Sequence, residues 1–158
     1  MSKNLPKIIA TFFYVGYLPF IPGTFGSAAA LGLFILLKPG PLAQYAFLAL
    51  FLSLGFYFSG EAEKQFHIKD PKHIVIDEVA GMFLTLLFVP VDFKLLVIGF
   101  LLFRVLDTTK PFPADKLQNL KGSAGIMMDD VVAGLYANII LQFVSRVLLK
   151  IPATLSHQ

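Results

Sequence analysis

The sequence contains no cysteine and no tryptophan among its 158 residues. The absence of cysteine excludes disulfide bonds, thiolate nucleophiles, iron–sulfur clusters and cysteine-ligated zinc. Charged residues are also scarce, at 15% of the chain, whereas a water-soluble domain has about a quarter. The net charge of +3 comes from scattered basic residues, which is not the signature of a nucleic-acid-binding protein. With 56% apolar residues, the composition therefore predicts a protein embedded in a membrane.

Long apolar runs are what the sequence has in abundance. Those that follow the N-terminal segment cover residues 25–37, 42–59, 74–89, 94–106 and 131–149. A full membrane span needs about 20 apolar residues, with about 17 as the usual lower limit, so only the second and fifth runs suffice alone. The other runs need polar ends to complete a span, or they are half-spanning hairpins. We expect an all-α integral membrane bundle of about four to five transmembrane helices, forming a single domain over residues 1–158.

The N-terminal segment has two interpretations. Its basic residues, apolar run and later alanines are typical of a cleaved signal peptide. Pro19, Pro22 and Gly23 interrupt the apolar run, however, and a second run follows at once. This interruption favours a retained interfacial or re-entrant segment.

The connections predict how the bundle is oriented. Residues 38–41 and 89–92 form tight turns rich in proline and glycine, whereas the connections at 1–24, 60–73 and 107–130 are long and polar. A serpentine chain path places the long connections on one side. That side holds most of the basic residues, so the positive-inside rule assigns it to the cytoplasm.

Acidic residues are concentrated at the predicted helix ends on this side: Asp77, Glu78, Asp107, Asp129 and Asp130. Carboxylates at membrane depth are costly and normally face a partner, an ion or a hydrated cavity. Helix capping would explain one acid in a first turn. It does not explain two adjacent pairs, or an acid at a helix C-terminus. A divalent cation with oxygen ligands would relieve the repulsion among them.

The two acidic pairs share a local pattern. Small residues, including Gly81 and Gly134, follow each pair by three or four positions and so lie on the same helix face. Because small residues let membrane helices approach closely, we expect the third and fifth helices to pack tightly and bring the pairs together.

Basic and glycine-rich segments supply candidate phosphate ligands. Arg104 lies three residues before Asp107, which suits either an ion pair or a planar donor fork aimed at phosphate. Lys110 precedes Pro111 and would stay near the head-group plane, although a basic residue there can also merely snorkel. The start of the first apolar helix offers an anion site formed by Gly23, Thr24, Gly26 and Ser27.

The motifs, taken in order, resemble the phosphatidylglycerophosphatase A family over almost the whole chain. They are the segments 22–27, 70–81, 103–113 and 125–134. The resemblance implies an Mg²⁺-dependent lipid phosphatase of the bacterial inner membrane, multi-pass, with its active site facing the cytoplasm. Its substrate would be phosphatidylglycerophosphate, and its products phosphatidylglycerol and inorganic phosphate.

Within this interpretation, some of the acids bind the metal and one serves as the general base. Metal-activated water would attack the phosphorus, with ligands and general base drawn from Asp77, Glu78, Asp129 and Asp130. Asp107 and Asp70 are further candidate metal ligands. The phosphoryl oxygens would be bound by Gly23, Thr24, Gly26, Ser27, Arg104 and Lys110.

Other assignments remain open. Two loop histidines, His67 and His73, lie near Asp70 and are alternative candidates for a base or a phosphoryl acceptor. A CDP-alcohol phosphotransferase would need an Asp-Gly-x-x-Ala-Arg signature, which the sequence lacks. A cation- or proton-coupled transporter is the non-enzymatic alternative, and it would require carboxylates near the bilayer midplane with access from both sides.

Overall fold

The computed structural model describes residues 4–148, and within this range every regular element is helical. The α-helices are α1 (Leu5–Ala10), α2 (Pro22–Leu37), α3 (Pro41–Phe66), α4 (Ile76–Thr85), α5 (Phe93–Thr109), α6 (Ala114–Leu117) and α7 (Ser123–Phe143). A 3₁₀ turn at Val15–Tyr17 precedes α2, and a π-helical segment at Val144–Leu148 extends α7. The all-α prediction is confirmed. The end of the fifth predicted run, at Leu149, lies outside the described residues, as do Lys3 and Lys150.

Local sequence explains where several helices begin. Proline occupies the first turn of α1, α2 and α3, where its missing N–H leaves no hydrogen bond unmade. Asp92 caps α5 by accepting hydrogen bonds from the backbone N–H groups of Lys94 and Leu95, at 3.0 and 3.1 Å.

Two helices of the described chain are long and apolar enough to cross a membrane: α3, and α7 with its extension to Val147. They correspond to the two runs that the sequence singled out as sufficient. The helix α2 is apolar but shorter, with 16 residues. The third predicted run is helical over only 10 residues, because α4 ends at Thr85. The structure thus supports two candidate spans directly and leaves the larger number of spans as a proposal.

Side-chain amides bind the backbone where α4 stops, after Thr85. Asn138 Nδ2 donates to the backbone oxygens of Thr85 and Leu87, at 3.0 and 2.9 Å. Gln142 Nε2 also donates to the Leu87 oxygen, at 3.0 Å. On the other side, Gln44 Oε1 accepts from the backbone N–H of Phe88, at 2.7 Å. Backbone groups freed where a helix stops in apolar surroundings need such partners, so these amides permit a short α4.

The helix α4 is the centre of the bundle. Eight of its 10 residues are buried, and it contacts α2, α3, α5 and α7. Gly81 of α4 and Gly134 of α7 face each other so closely that a Cβ on Gly134 would collide with the backbone oxygen of Gly81. The prediction that small residues draw the third and fifth predicted helices together is therefore confirmed.

Candidate active site

A cavity of about 260 Å³ opens at one end of the bundle. It lies where α2 and α4 begin, where α5 ends, beside the first half of α7 and beside the loop that follows α3. Its lining residues are Ile21, Pro22, Gly23, Thr24, Asp70, Lys72, Ile74, Asp77, Glu78, Arg104, Asp107, Lys110, Ile126, Asp129 and Asp130. All six predicted metal-ligating acids thus border a single cavity.

Three of these acids form a tight cluster. Each of Asp77, Glu78 and Asp130 offers one carboxylate oxygen, and these oxygens lie within 4.8 Å of one another. Asp77 Oδ1, Glu78 Oε2 and Asp130 Oδ2 are buried and have no hydrogen-bond partner in the described chain, and the same holds for Asp129 Oδ1. Buried anionic oxygens without partners are costly. Their convergence is suited to a hard divalent cation, which takes oxygen ligands.

The backbone contact between α4 and α7 creates this cluster. A Cβ on Gly81 would meet the backbone oxygen of Asp130 at 2.9 Å, so the second acidic pair lies directly across from α4. The helix predicted from the apolar run at 131–149 would place Asp129 and Asp130 in or near its first turn, whereas α7 begins earlier, at Ser123. Capping therefore cannot account for that pair.

Arg104 of α5 contacts an acid on its own helix and a hydroxyl group on α2. Its Nη1 atom lies 2.6 Å from Asp107 Oδ2 and 3.3 Å from Ser27 Oγ. The Ser27 hydroxyl in turn donates to the backbone oxygen of Gly23, at 3.0 Å. The predicted ion pair with Asp107 is therefore present, and Arg104 also lines the cavity. Its role as a donor fork for phosphate stays a prediction.

Lys110 reaches into the cavity from the end of α5. Its Nζ atom lies 2.5 Å from Asp129 Oδ2. Burial alone would lower the pKa of Lys110, but the hydrogen bond and the charge of Asp129 outweigh burial and raise that pKa. The Lys110 side chain therefore keeps its positive charge at neutral pH.

The start of α2 approaches the acids through a glycine. A Cβ on Gly23 would collide with Glu78 Oε1 and would lie 3.5 Å from Arg104 Nη1. Thr24 also lines the cavity. Gly26 and Ser27, predicted as substrate-binding, lie outside the cavity lining. Gly26 packs on Val75, and the Ser27 hydroxyl accepts a hydrogen bond from Arg104.

Asp70 enters the site from the loop between α3 and α4. Its backbone is in the left-handed region, with φ 48°, and its N–H donates to Glu63 Oε1 at 2.9 Å. Burial raises the pKa of Asp70, and the nearby positive charge of Lys110 acts in the opposite direction.

Sequence reasoning missed some residues of this site. Lys72 lines the cavity as a further cation, and Ile21, Ile74 and Ile126 supply apolar lining. Lys72 follows Asp70 and Pro71 in the sequence, and this position next to a predicted metal ligand could have identified it as a site residue. The two histidines do not line the cavity: His73 stacks on Tyr17, with Nδ1 3.1 Å from the backbone oxygen of Gly16, and His67 borders another depression.

The chain matches one protein family over most of its length. A family model described as Phosphatidylglycerophosphatase A matches residues 8–145. The chain is 36% identical over 147 residues to a phosphatidylglycerophosphatase A of Escherichia coli (strain K12), covering 91% of this chain and 86% of that protein. A protein of the same name from Haemophilus influenzae is 35% identical over 142 residues, 87% of each chain.

A third relative carries a different name. It is a putative phosphatidylinositol-3-phosphatase of Bacteroides thetaiotaomicron, 36% identical over 146 residues, covering 87% of this chain and 91% of that protein. No solved structure matches the chain.

Proposed function

Because the chain belongs to the phosphatidylglycerophosphatase A family, we propose that it removes the terminal phosphate of phosphatidylglycerophosphate, giving phosphatidylglycerol and inorganic phosphate. The observation that carries this proposal is the cavity itself. Unpartnered carboxylate oxygens of Asp77, Glu78 and Asp130 face a space that Arg104 and Lys110 also line. Acids alone would repel a phosphate, so the cations and a metal ion must complete the site.

We assign Mg²⁺ to the cluster of Asp77, Glu78 and Asp130. Asp129, Asp107 and Asp70 line the same cavity and would supply further oxygen ligands for the metal or for its bound water. When bound, Mg²⁺ supplies charge for the phosphoryl oxygens and lowers the pKa of a bound water. The unpartnered buried oxygens are what make this donor set suitable, because a hard cation prefers oxygen ligands.

The protein's own residues hold the phosphate in place. Arg104 presents a planar donor fork, and Lys110 adds a compact cation. In the free protein both are paired with carboxylates, Asp107 and Asp129, so a bound phosphate would share their N–H groups with those acids. One of the cavity carboxylates would accept the proton of the attacking water, and the leaving oxygen of the lipid would receive a proton in turn.

The first turn of α2 offers a further set of donors. Gly23 and Thr24 border the cavity at a helix N-terminus, where backbone N–H groups have no partner within the helix. These groups favour a bound anion. The absence of a side chain at Gly23 keeps that approach open.

We also propose where the protein is located and how it is oriented. The helices α3 and α7 are long enough to cross a membrane, and we propose that α2, α4 and α5 complete a multi-pass bundle of four to five helices with an interfacial N-terminal segment. The cavity would then face the cytoplasm at the inner membrane of a bacterium, as the positive-inside rule predicts. A transporter is not favoured, because the relatives are named as phosphatases.

Both lipids named by the relatives carry a phosphomonoester on a polar head group. We favour phosphatidylglycerophosphate because the family model and two relatives bear that name. The test offers purified protein in detergent either phosphatidylglycerophosphate or phosphatidylinositol 3-phosphate, with Mg²⁺ or with EDTA. We expect phosphate release from phosphatidylglycerophosphate with Mg²⁺ and at least a hundredfold loss in EDTA.

Two substitutions test the site in the same assay. Asp77→Asn and Asp129→Asn remove a carboxylate with little change of shape, and each should lower phosphate release by about two orders of magnitude or more. Asp115→Asn, at an exposed acid of α6, is the matched control and should retain activity. Full activity in EDTA would contradict the metal assignment, and full activity of both site variants would contradict the choice of residues.

A further inference from the structure

An exposed apolar segment lies directly before the active site. Leu18, Phe20 and Ile21, which we call the apolar rim, connect the 3₁₀ turn to the start of α2. All three side chains are exposed, and that of Phe20 is 97% exposed. The segment belongs to neither of the two candidate spans, so contact with a surrounding bilayer does not follow from helix length.

The backbone at Phe20 is unusual. Its φ of 74° falls in the left-handed region, which a residue with a bulky side chain rarely adopts. A buried ring could compensate for that conformation by packing, but this ring makes almost no contact with residues 4–148, which the structure describes. The ring is therefore exposed one residue before Ile21, which lines the cavity.

The apolar rim is continuous with the cavity. Ile21 is exposed and also lines the cavity, next to Pro22, Gly23 and Thr24. At about 260 Å³ the cavity is smaller than the roughly 300–1,000 Å³ typical of sites that enclose a drug-sized ligand. A phosphorylated head group fits such a volume, whereas two fatty acyl chains do not. The acyl-bearing end of the substrate must therefore leave the cavity past its edge.

We propose that the apolar rim binds the acyl-proximal part of the lipid substrate, with Phe20 as its main contact. This inference rests on the proposed function, since it assumes a phosphorylated lipid in the cavity. It makes the N-terminal segment a determinant of lipid specificity. The polar cavity recognises the phosphate, and the rim distinguishes a lipid from a water-soluble phosphomonoester.

The test separates these two contributions. Phe20→Asn removes the aromatic surface and keeps a residue that tolerates left-handed φ. Phe93→Asn is the control: Phe93 is 78% exposed, and it begins α5, the helix whose other end carries Arg104. Activity is measured on dioleoyl phosphatidylglycerophosphate in detergent mixed micelles. The deacylated head group, glycerophosphoglycerophosphate, is added as a competitive inhibitor.

We expect Phe20→Asn to raise the KM for the micellar lipid roughly three- to tenfold, as for partial loss of one aromatic apolar contact. The inhibition constant of the deacylated head group should not change, because that molecule does not reach the rim. Phe93→Asn should change neither quantity. An equal weakening of lipid and head group, or no change in either, would overturn the proposal. Failure of the wild-type protein to release phosphate from the lipid would instead reject the proposed function.

Discussion

At the scale of single residues, the site depends on how closely its acidic side chains, its basic side chains and the backbone approach one another. Gly23 lies against both Glu78 and Arg104, so a backbone with no side chain stands between an acid and a base. Arg104 itself contacts Asp107 and Ser27, and therefore joins α2 to α5. Conservative substitutions at Gly23 and Arg104 should lower catalytic activity more than they lower the stability of the fold.

Substituting Gly23 by alanine should lower activity at least tenfold, because the added methyl group would displace Glu78 or Arg104 from the cavity. Gly32→Ala, in the same helix, is the control, since a Cβ there meets no atom within 4 Å. Phosphate release from lipid micelles is the measurement, with size-exclusion chromatography to check folding. Equal activity of the two variants would mean that the contact at Gly23 does not matter.

Replacing Arg104 by lysine keeps the positive charge and removes the planar fork. We expect kcat to fall by about one to two orders of magnitude, since a lysine cannot contact both a phosphate and Asp107 in the same geometry. Arg146→Lys, at an exposed arginine in the extension of α7, should be neutral. If Arg104→Lys retained full kcat, the charge alone would be sufficient and the fork irrelevant.

At the scale of elements, the short helix α4 decides where the acids lie. It begins one residue before Asp77 and ends at Thr85, inside the bundle, where amides of α3 and α7 bind its freed backbone groups. Its glycine contact with α7 then brings Asp130 opposite Asp77 and Glu78. The position of the acidic cluster is thus a property of the α4–α7 pair.

Asn138→Leu tests this support. It removes the hydrogen bonds that Asn138 donates to the Thr85 and Leu87 oxygens, but the Leu87 oxygen keeps Gln142 as a donor. The protein should therefore be destabilised by about 1–3 kcal/mol, the cost of leaving the buried Thr85 oxygen without a donor. Thermal unfolding in detergent is the measurement. Asn119→Leu, at an exposed amide beyond α6, should leave the unfolding temperature nearly unchanged. The same temperature for both variants would show that these amide bonds contribute little.

At the scale of the whole molecule, all the functional groups lie at one end. Helices α2, α4 and α7 begin there, while α3 and α5 end there, so the long connections share that end. If the bundle spans a membrane, this end must face one compartment. Because the sequence has no cysteine, single cysteines can report that orientation without background labelling.

Lys121→Cys marks the active-site end, and Gly40→Cys marks the turn between α2 and α3 at the opposite end. We expect Gly40→Cys to react with a membrane-impermeant maleimide that is added to spheroplasts whose inner membrane is intact. Lys121→Cys should react only after the membrane is permeabilised. Labelling of Lys121→Cys in intact spheroplasts would reverse the proposed orientation.

The sequence was sufficient to predict the all-α class, the family and the group of acids, because these depend on composition and on motifs that are continuous in the chain. It also predicted the close packing through Gly81 and Gly134, since residue size and helix periodicity are local properties. The lengths of α4 and α7 were not predicted. Both helix limits involve partners far away in sequence: Asn138 binds the Thr85 oxygen at the end of α4, and Gly60 donates to Ser123 Oγ at the start of α7.

Tertiary structure alone decided which residues share the cavity. It joined Asp70 and Lys72 to acids more than fifty residues away and left Gly26 outside, although Gly26 belongs to the same motif as Gly23. The grouping of the acids at one end of the predicted bundle could be inferred from the sequence. Their convergence within 4.8 Å could not, because that distance is set by the backbone contact of α4 with α7.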